Sequence, residues 1–176
     1  MRRIQYLFLI LLLVMVGSCS HKFDSNTLGL DFYQWNLWQD TETEKGNDLP
    51  SCGWDDLHRG KGMLVRIPAS LDRYFPDREE HSVFWYHCRF TLPEQWKEKP
   101  VSLVLEGAGP LVKLYLNEEQ VASYLGEAGT FELDVSEVIY YTRDNHLSIR
   151  ISNPLDGISG KINGITGNIL VQTKEN

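Results

Sequence analysis

The sequence has few of the features that mark several large classes of protein. Lys and Arg number 17 against 24 Asp and Glu, which gives a formal net charge of -7, and the basic residues form no long run. Nucleic-acid affinity comes largely from Lys and Arg that neutralise phosphates, so no nucleic-acid partner is expected. The chain of 176 residues is also too short for a catalytic α/β barrel, which takes about 250. This length predicts one globular domain.

Cysteine is scarce, and its spacing excludes two common kinds of site. The three cysteines are Cys19, Cys52 and Cys88, and no two of them form a C-x-x-C pair. A zinc ribbon and a thioredoxin-type redox motif are therefore excluded. Cys88 alternates with apolar side chains in a predicted strand, which favours a free cysteine in the core. A Cys52–Cys88 disulfide is the alternative, because an exported chain meets an oxidising compartment.

Long hydrophobic runs are confined to the N-terminus. Arg2 and Arg3 form a short basic stretch, and residues 6–16 follow without a charge. A helix of this length is too short to cross about 30 Å of hydrocarbon. The run therefore predicts the core of a signal peptide rather than a membrane span.

The residues after this run resemble the lipoprotein box of bacteria. The small residues at 16–18 precede Cys19, the position at which such a cysteine is lipidated and becomes the new N-terminus. We expect residues 1–18 to be a signal peptide and Cys19 to anchor the chain, since several acyl chains give stable membrane binding. Ser20 follows, with no Asp there, which by resemblance to Gram-negative lipoproteins points to the outer membrane. Ordinary secretion with a coincidental cysteine is the alternative.

The mature chain predicts an all-β fold, an antiparallel β-sandwich or jelly roll. After a lipidated polar tether at 19–27, residues 28–176 alternate apolar and polar side chains with period two and form no long helical stripe. Short strands separated by Gly- and Asn-bearing turns are typical of this class. Residues 41–60 have no pattern and predict a surface loop or insert. The predicted strands are residues 30–38, 63–67, 82–92, 101–105, 111–116, 120–124, 130–135, 147–152 and 168–172.

Residues 84–93, FWYHCRFTLP, carry the most recognisable pattern in the chain. They resemble the W-Y-R-R-x-F-x-L-P strand in the sugar-binding domain of glycoside hydrolase family 2, the β-galactosidase and β-glucuronidase family. Further similarities follow the family's order at residues 30–38, 65–68, 101–108, 112–117, 131–136, 145–153 and 164–169. Each motif is weak alone, but together they cover nearly all of the mature chain. The resemblance implies the family's fold, a jelly roll of the galactose-binding type.

The chain departs from the family pattern at three places. Asn117 is followed by Glu118 where the family usually has Gly, and Gly164-Ile165 keeps only part of the closing motif. The sequence ends at Asn176, where the family continues into an immunoglobulin-like domain and a barrel with both catalytic carboxylates. The resemblance therefore implies a domain without catalytic residues, and we expect no cofactor.

The residues themselves predict neither an independent active site nor a metal site. A glycosidase needs two carboxyls that flank one bond, whereas the acidic pairs at 55–56, 79–80 and 118–119 fall in loops or turns. The chain has no G-x-S-x-G nucleophile elbow. Its histidines form no close metal-like pair, and His87 is expected to point away from the core beside Arg89. The histidines are His21, His58, His81, His87 and His146.

Aromatic side chains in loops give the candidate sugar-binding residues. Sugars are gripped by aromatic faces together with carboxylate and amide hydrogen bonds. Trp54 beside Asp55, and Tyr74, lie in or near unpatterned segments and form the first group. Asp156 and Asn163 form the second, because the family can send a polar residue from this segment toward its active site. The alternatives are that Trp54 caps the core and that the second segment is a Gly-rich connection.

The leading hypothesis is a lipid-anchored, non-catalytic carbohydrate-binding module associated with glycan degradation at the cell envelope. Its expected partners are a glycan and the membrane, reached through Cys19. A protein-interaction or structural module with an envelope protein partner is the first alternative. The others are a remnant or split piece of a family 2 glycosidase and a small hydrolase with a new site.

Overall fold

The computed structural model describes residues 26–43, 47–79, 81–125, 129–153 and 163–174. Thirteen β-strands lie among these residues. One α-helix, α1 (Trp54–His58), and three 3-10 helices, Leu30–Phe32, Leu71–Arg73 and Glu94–Trp96, lie between them. The strands are β1 (Thr27–Gly29), β2 (Trp35–Asp40), β3 (Met63–Val65), β4 (Ala69–Ser70), β5 (Val83–Phe90), β6 (Val101–Leu105), β7 (Ala108–Gly109), β8 (Leu111–Leu116), β9 (Glu119–Leu125), β10 (Phe131–Asp134), β11 (Asn145–Ser152), β12 (Gly164–Ile165) and β13 (Ile169–Thr173).

The strands form a sandwich in which every pairing is antiparallel, which confirms the predicted all-β class. The larger sheet has the order β3-β2-β5-β11-β8-β9, and the smaller one β1-β13-β6-β10. A third, short sheet has the order β4-β12-β7. Each of these strands pairs with another described strand, and all of them lie between Thr27 and Thr173.

The main core lies between the six-stranded and four-stranded sheets. Tyr86 and Cys88 of β5 meet Leu103 and Val171 of the opposite sheet in one buried cluster. Burial of each large apolar side chain stabilises the fold by roughly 1.5–3 kcal/mol. Cys88 is 0% exposed, and both it and Cys52 are free thiols, as the alternation around Cys88 predicted.

The chain opens differently from the single strand predicted over residues 30–38. Leu30–Phe32 form a 3-10 helix, and β2 begins only at Trp35. The indole N–H of Trp35 donates to the Leu30 carbonyl at 2.8 Å, and both side chains are buried in the main core. In an extended chain, residues five apart point to opposite faces, so the turn is what lets both reach the core. The other eight predicted strands recur with ends shifted by at most two residues.

Residues 41–60, predicted as a surface loop or insert, carry α1 across the outer face of the six-stranded sheet. Leu57 of α1 is fully buried against that face. A helix this short has too few turns to show a hydrophobic period and depends on tertiary packing. Among the described residues, no helix combines the length and the apolar content needed to cross a membrane.

Candidate functional site

The outer face of the six-stranded sheet carries polar and aromatic side chains. Strand alternation puts Trp85 and His87 of β5 on this face, together with His146 of β11. In the register of the two strands, His87 lies opposite Ser148, and Arg89 lies opposite His146. His87 and His146 are therefore diagonal neighbours on one face, a separation that long side chains bridge.

Helix α1 covers this face and makes a second apolar cluster there. Leu57 is buried together with Val83, Trp85 and Tyr115, and Trp54 packs against the same cluster. The ring centroid of Trp54 lies 5.7 Å from that of Trp85 and 5.2 Å from that of Tyr115. Aromatic pairs at these distances add to the energy of burial. These contacts fix the position of α1 over the sheet.

Hydrogen bonds on both sides of α1 hold the covering segment to β2. Before the helix, the buried carboxylate of Asp40 accepts from the Ser51 backbone N–H at 3.0 Å and from its hydroxyl at 2.6 Å. After the helix, the side-chain amide of Asn36 donates to the Gly60 carbonyl at 3.0 Å. Buried polar groups that are paired in this way stabilise one arrangement of the segment.

Three histidines from three elements meet where α1 crosses the sheet: His58 of α1, His87 of β5 and His146 of β11. One ring nitrogen of each lies within 4.8 Å of those of the other two. His87 Nε2 and His146 Nδ1 are 3.1 Å apart, and the tautomers decide which nitrogen donates the hydrogen bond. The His58 ring stacks on that of His146 with centroids 4.2 Å apart and on that of His87 with centroids 5.0 Å apart. Among the described residues, this is the cluster with the donor set for a metal ion.

Burial keeps the histidines of the cluster neutral near pH 7. Burial first, and then the neighbouring His146, lower the pKa of His58 to about 4. His87 is only 3% exposed, and burial followed by the nearby His58 and His146 lowers its pKa to about 3. Burial also lowers the pKa of His146. Each neutral ring keeps one nitrogen lone pair that can accept a hydrogen bond or bind a metal.

Glu118, in the turn between β8 and β9, faces this cluster. Its Oε1 lies 3.7 Å from His58 Nδ1. Asn117 and Glu118 have φ of 54° and 73°, the left-handed conformation of a two-residue hairpin turn. Gly is the preferred residue at the second position of such a turn, and here a carboxylate occupies it.

A groove of about 670 Å³ opens beside the histidines. Its lining includes Tyr33, Asn36, His58, Arg59, His87 and Arg89. Arg59 pairs with Asp56 and Arg89 with Asp144 in exposed contacts, which are weak enough for a ligand to compete. An aromatic ring among amide and guanidinium donors is the combination that sugar sites use.

A second groove, of about 640 Å³, has Tyr74 in its wall. The Tyr74 hydroxyl donates to the Arg66 carbonyl at 3.0 Å and accepts from the Arg66 N–H at 3.1 Å. Its ring packs against the main core. Tyr74 therefore holds the segment after β3 through its hydroxyl.

The structure does not bring the first predicted sugar-binding group together. Trp54 packs on the outer face of the six-stranded sheet, in agreement with its alternative role as a cap. Asp55 is exposed on α1 and lies 3.9 Å from Arg59. Tyr74 packs on the main core, whereas Trp54 packs on the cluster under α1.

Of the second group, only Asn163 falls among the described residues. Asn163 is exposed, its N–H donates to the Gly109 carbonyl at 3.3 Å, and its carbonyl accepts from the Leu71 N–H at 3.0 Å. These backbone bonds join the ends of the third sheet, in agreement with a connecting role. Asp156 and the predicted lipidation residue Cys19 lie outside the described residues.

The histidine cluster was missed in the sequence, where His87 and His146 stand 59 residues apart. The expectation that His87 points away from the main core is correct, but α1 buries it on the other face. Alternation alone marks both histidines as outward-facing. The strand register and the path of the insert bring them together, and neither can be read from the sequence.

Comparison with known proteins finds relatives in sequence and solved structures with the same fold as this chain. A β-galactosidase from Thermoanaerobacter pseudethanolicus is 31% identical over 111 residues, which make up 60% of this chain and 15% of that protein. A calcium-binding mutant of Bacteroides uniformis β-glucuronidase 2 has a TM-score of 0.65 at 22% identity and is matched over 84% of this chain and 18% of its own. A glycosyl hydrolase family 2 member from Bacteroides cellulosilyticus has a TM-score of 0.65 at 16% identity, over 85% of this chain and 21% of its own. The chain is similar to the sugar-binding domain of glycoside hydrolase family 2.

The likeness to this family 2 domain covers a small part of the known proteins. The chain spans 15% and 16% of the length of two curated relatives, the β-galactosidase and a β-glucuronidase from Paenibacillus borealis. The two solved structures are 22% and 16% identical to this chain, and a match at such low identity establishes the fold alone. No family model matches the chain.

Proposed function

We propose that this chain is a non-catalytic carbohydrate-binding module that serves glycan degradation at the cell envelope. The observation that carries the proposal is the likeness of its fold, over 84% of the chain, to a β-glucuronidase. The β-galactosidase adds sequence likeness over 60% of the chain. Both relatives are named for enzymes of glycosides, which supports a glycan as the ligand.

The groove beside the histidines is the proposed sugar site. Tyr33 offers a partly buried ring, and Asn36, Arg59 and Arg89 offer polar groups in its lining. A sugar presents C–H faces to aromatic rings and hydroxyls to amide and guanidinium donors. The lining of this groove does not include Tyr74, the tyrosine that the sequence suggested.

The contacts of the acidic side chains of α1 and of Asp40 in β2 support a non-catalytic role. Asp55 and Asp56 are both exposed on α1, where they pair with Arg59. Asp40 is buried and accepts hydrogen bonds from Ser51. Glycosidase chemistry needs two carboxyls that flank one bond, and these residues serve the covering segment instead.

Binding of the Ser20–Asn176 segment to a panel of oligosaccharides and polysaccharides tests the proposal. The panel includes glucuronides and galactosides. We expect at least one glycan to bind, and Arg89→Ala to weaken that binding roughly fivefold, the equivalent of about 1 kcal/mol for one hydrogen bond. Arg66→Ala is the matched control, because Arg66 is exposed and lies outside the groove lining. A folded protein that binds no glycan in the panel would refute the carbohydrate-binding function.

The proposal also places the domain at a membrane through a lipid on Cys19. The seven residues between Cys19 and β1 span at most about 25 Å when fully extended. An acylated Cys19 would therefore hold the sandwich close to the membrane surface.

A protein partner is a second candidate function, favoured by an exposed apolar edge. Strand β3 is the end strand of the six-stranded sheet, and its Met63 and Leu64 are 44% and 63% exposed. An edge strand offers unpaired backbone groups together with apolar contact. If this edge binds a protein, Met63→Lys should abolish the co-purification of a defined envelope protein and leave glycan binding unchanged, because Met63 lies outside the groove lining. If no protein depends on Met63 for binding, the second function is excluded.

A further inference from the structure

The three histidines have the spacing of metal ligands before any ion is bound. In a tetrahedral site with Zn–N bonds of about 2.0–2.1 Å, two ligand nitrogens lie about 3.3 Å apart. His87 Nε2 and His146 Nδ1 are already 3.1 Å apart. The third ring, that of His58, supplies a nitrogen within 4.8 Å of both.

The two nitrogens of His58 have different surroundings. Its Nδ1 faces the Glu118 carboxylate at 3.7 Å, whereas its Nε2 is buried and has no hydrogen-bond partner among the described residues. A carboxylate that accepts a hydrogen bond from one nitrogen of an imidazole holds the proton there and leaves the lone pair on the other nitrogen. This is how carboxylates orient histidines that bind metals. At 3.7 Å, Glu118 is a small side-chain movement away from making this bond.

Glu118 holds this position against the preference of its backbone. Its φ of 73° lies in the region that L-residues avoid and glycine adopts freely. A strained residue that an active or binding site uses is a recurrent feature of proteins. At this turn, the residue with the strained φ is the one whose carboxylate lies 3.7 Å from His58 Nδ1.

The geometry points to a metal site in which His58 Nε2, His87 Nε2 and His146 Nδ1 bind one divalent transition-metal ion, with Glu118 orienting His58. Imidazole ligands suit Zn²⁺, Cu²⁺ and Ni²⁺, and not Ca²⁺ or Mg²⁺, which take oxygen ligands. The groove beside His58 and His87 leaves room for water or a ligand oxygen as the fourth ligand. The ring planes lie within 27° of parallel, so binding of one ion by all three requires the rings to turn about χ2 until their lone pairs converge.

The metal site adjoins the proposed sugar groove, whose lining includes His58 and His87, but its test involves no sugar and can fail or succeed independently of glycan binding. The direct probe is Zn²⁺ alone, titrated by calorimetry into untagged Ser20–Asn176 that has been dialysed against a chelator. We expect one equivalent of Zn²⁺ to bind. Co²⁺ in place of Zn²⁺ should give the intense visible absorption of a four-coordinate site.

Histidine variants test whether the ion binds at the cluster of His58, His87 and His146. His58→Gln and His146→Gln should each lower the Zn²⁺ affinity by more than about tenfold, since even residues that only orient a ligand cost that much. His81→Gln is the matched control, because His81 is exposed and lies outside the cluster. The Zn²⁺ affinity of this variant should equal that of the unchanged protein. His21 and His81 remain in both cluster variants, so an ion held there would stay bound.

A second measurement does not depend on the variants folding. In the unchanged protein, the ring-nitrogen NMR signals of His58, His87 and His146 should move together as one equivalent of Zn²⁺ is added. The proposal is overturned if Zn²⁺ does not bind, if binding is unchanged in folded His58→Gln and His146→Gln, or if only the signals of His21 and His81 move.

Discussion

At the scale of single residues, burial separates the two cysteines of the domain. Cys88 is fully buried, and burial raises the pKa of its thiol to about 12. Cys52 is partly exposed beside α1, with a pKa that burial also raises but less strongly. The thiolate is the reactive form, so the two thiols should differ widely in reactivity.

Thiol titration of Ser20–Asn176 at pH 8 tests this difference. We expect one thiol to react in the native protein and two to react after denaturation without a reductant. Cys52→Ser should remove the native signal and leave one thiol in the denatured protein. Fewer than two thiols in the denatured, unreduced protein would mean that Cys52 and Cys88 form a disulfide.

The same scale shows what a sequence can say about a side chain. Alternation correctly predicted that Cys88 is in the core. It also correctly directed His87 away from the main core. The burial of His87 could not be predicted, because the segment that covers it is α1, about thirty residues earlier in the chain.

At the scale of elements, α1 is a structural cover whose anchor is Trp54. The ring of Trp54 contacts Trp85 and Tyr115, and Leu57 lies beneath the helix. Strands were predictable because period two persists over five or more residues. The helix and the 3-10 turn at Leu30–Phe32 were not, because packing rather than local pattern decides such short elements.

Trp54→Ala should therefore lower the free energy of unfolding by about 2 kcal/mol, less than for a fully buried Trp because this side chain is half-buried. Urea denaturation measures the change. Phe32→Ala is the matched control, since its ring is 88% exposed and its loss should change stability by less than about 0.5 kcal/mol. If Trp54→Ala kept full stability and lost glycan binding, Trp54 would be the sugar platform that the sequence suggested.

In the β8–β9 turn, one substitution should change stability and metal binding in opposite directions. Glu118→Gly relieves a left-handed φ and should raise the free energy of unfolding of the metal-free protein by about 1 kcal/mol. The same change removes the carboxylate beside His58 and should weaken Zn²⁺ binding about tenfold. Urea denaturation and calorimetry measure the two effects.

Glu98→Gly is the matched control for Glu118→Gly. Glu98 has a φ of 65° and is exposed outside the histidine cluster, so its replacement should stabilise the fold without changing Zn²⁺ affinity. Equal Zn²⁺ affinity in Glu118→Gly and the unchanged protein would show that Glu118 does not orient His58.

At the scale of the whole molecule, the order of the motifs was more informative than any one of them. The weak similarities along the chain correspond to strands of one sandwich, whose fold the solved family 2 structures share. The site was less predictable than the fold. Its residues come from strands and an insert that are distant in sequence, and Trp54, Tyr74 and Asn163 serve packing or backbone connections instead.

The proposed anchor belongs to this scale as well. In a Gram-negative host, the full chain should incorporate labelled palmitate and sediment with membranes. Cys19→Ser should abolish both, because Cys19 is the proposed acylation site, whereas Cys52→Ser should change neither. Label retained in Cys19→Ser would contradict a lipoprotein.

The most direct measurement of the central proposal is an NMR titration of isotope-labelled Ser20–Asn176 with the glycans of the panel. It reports binding and its location together, even at low affinity. We predict that one or more glycans shift the backbone signals of Tyr33, Asn36, Arg59 and Arg89, which line the groove beside the histidines. The absence of shifts with every glycan would contradict carbohydrate binding, and shifts confined to the groove around Tyr74 would contradict the proposed site.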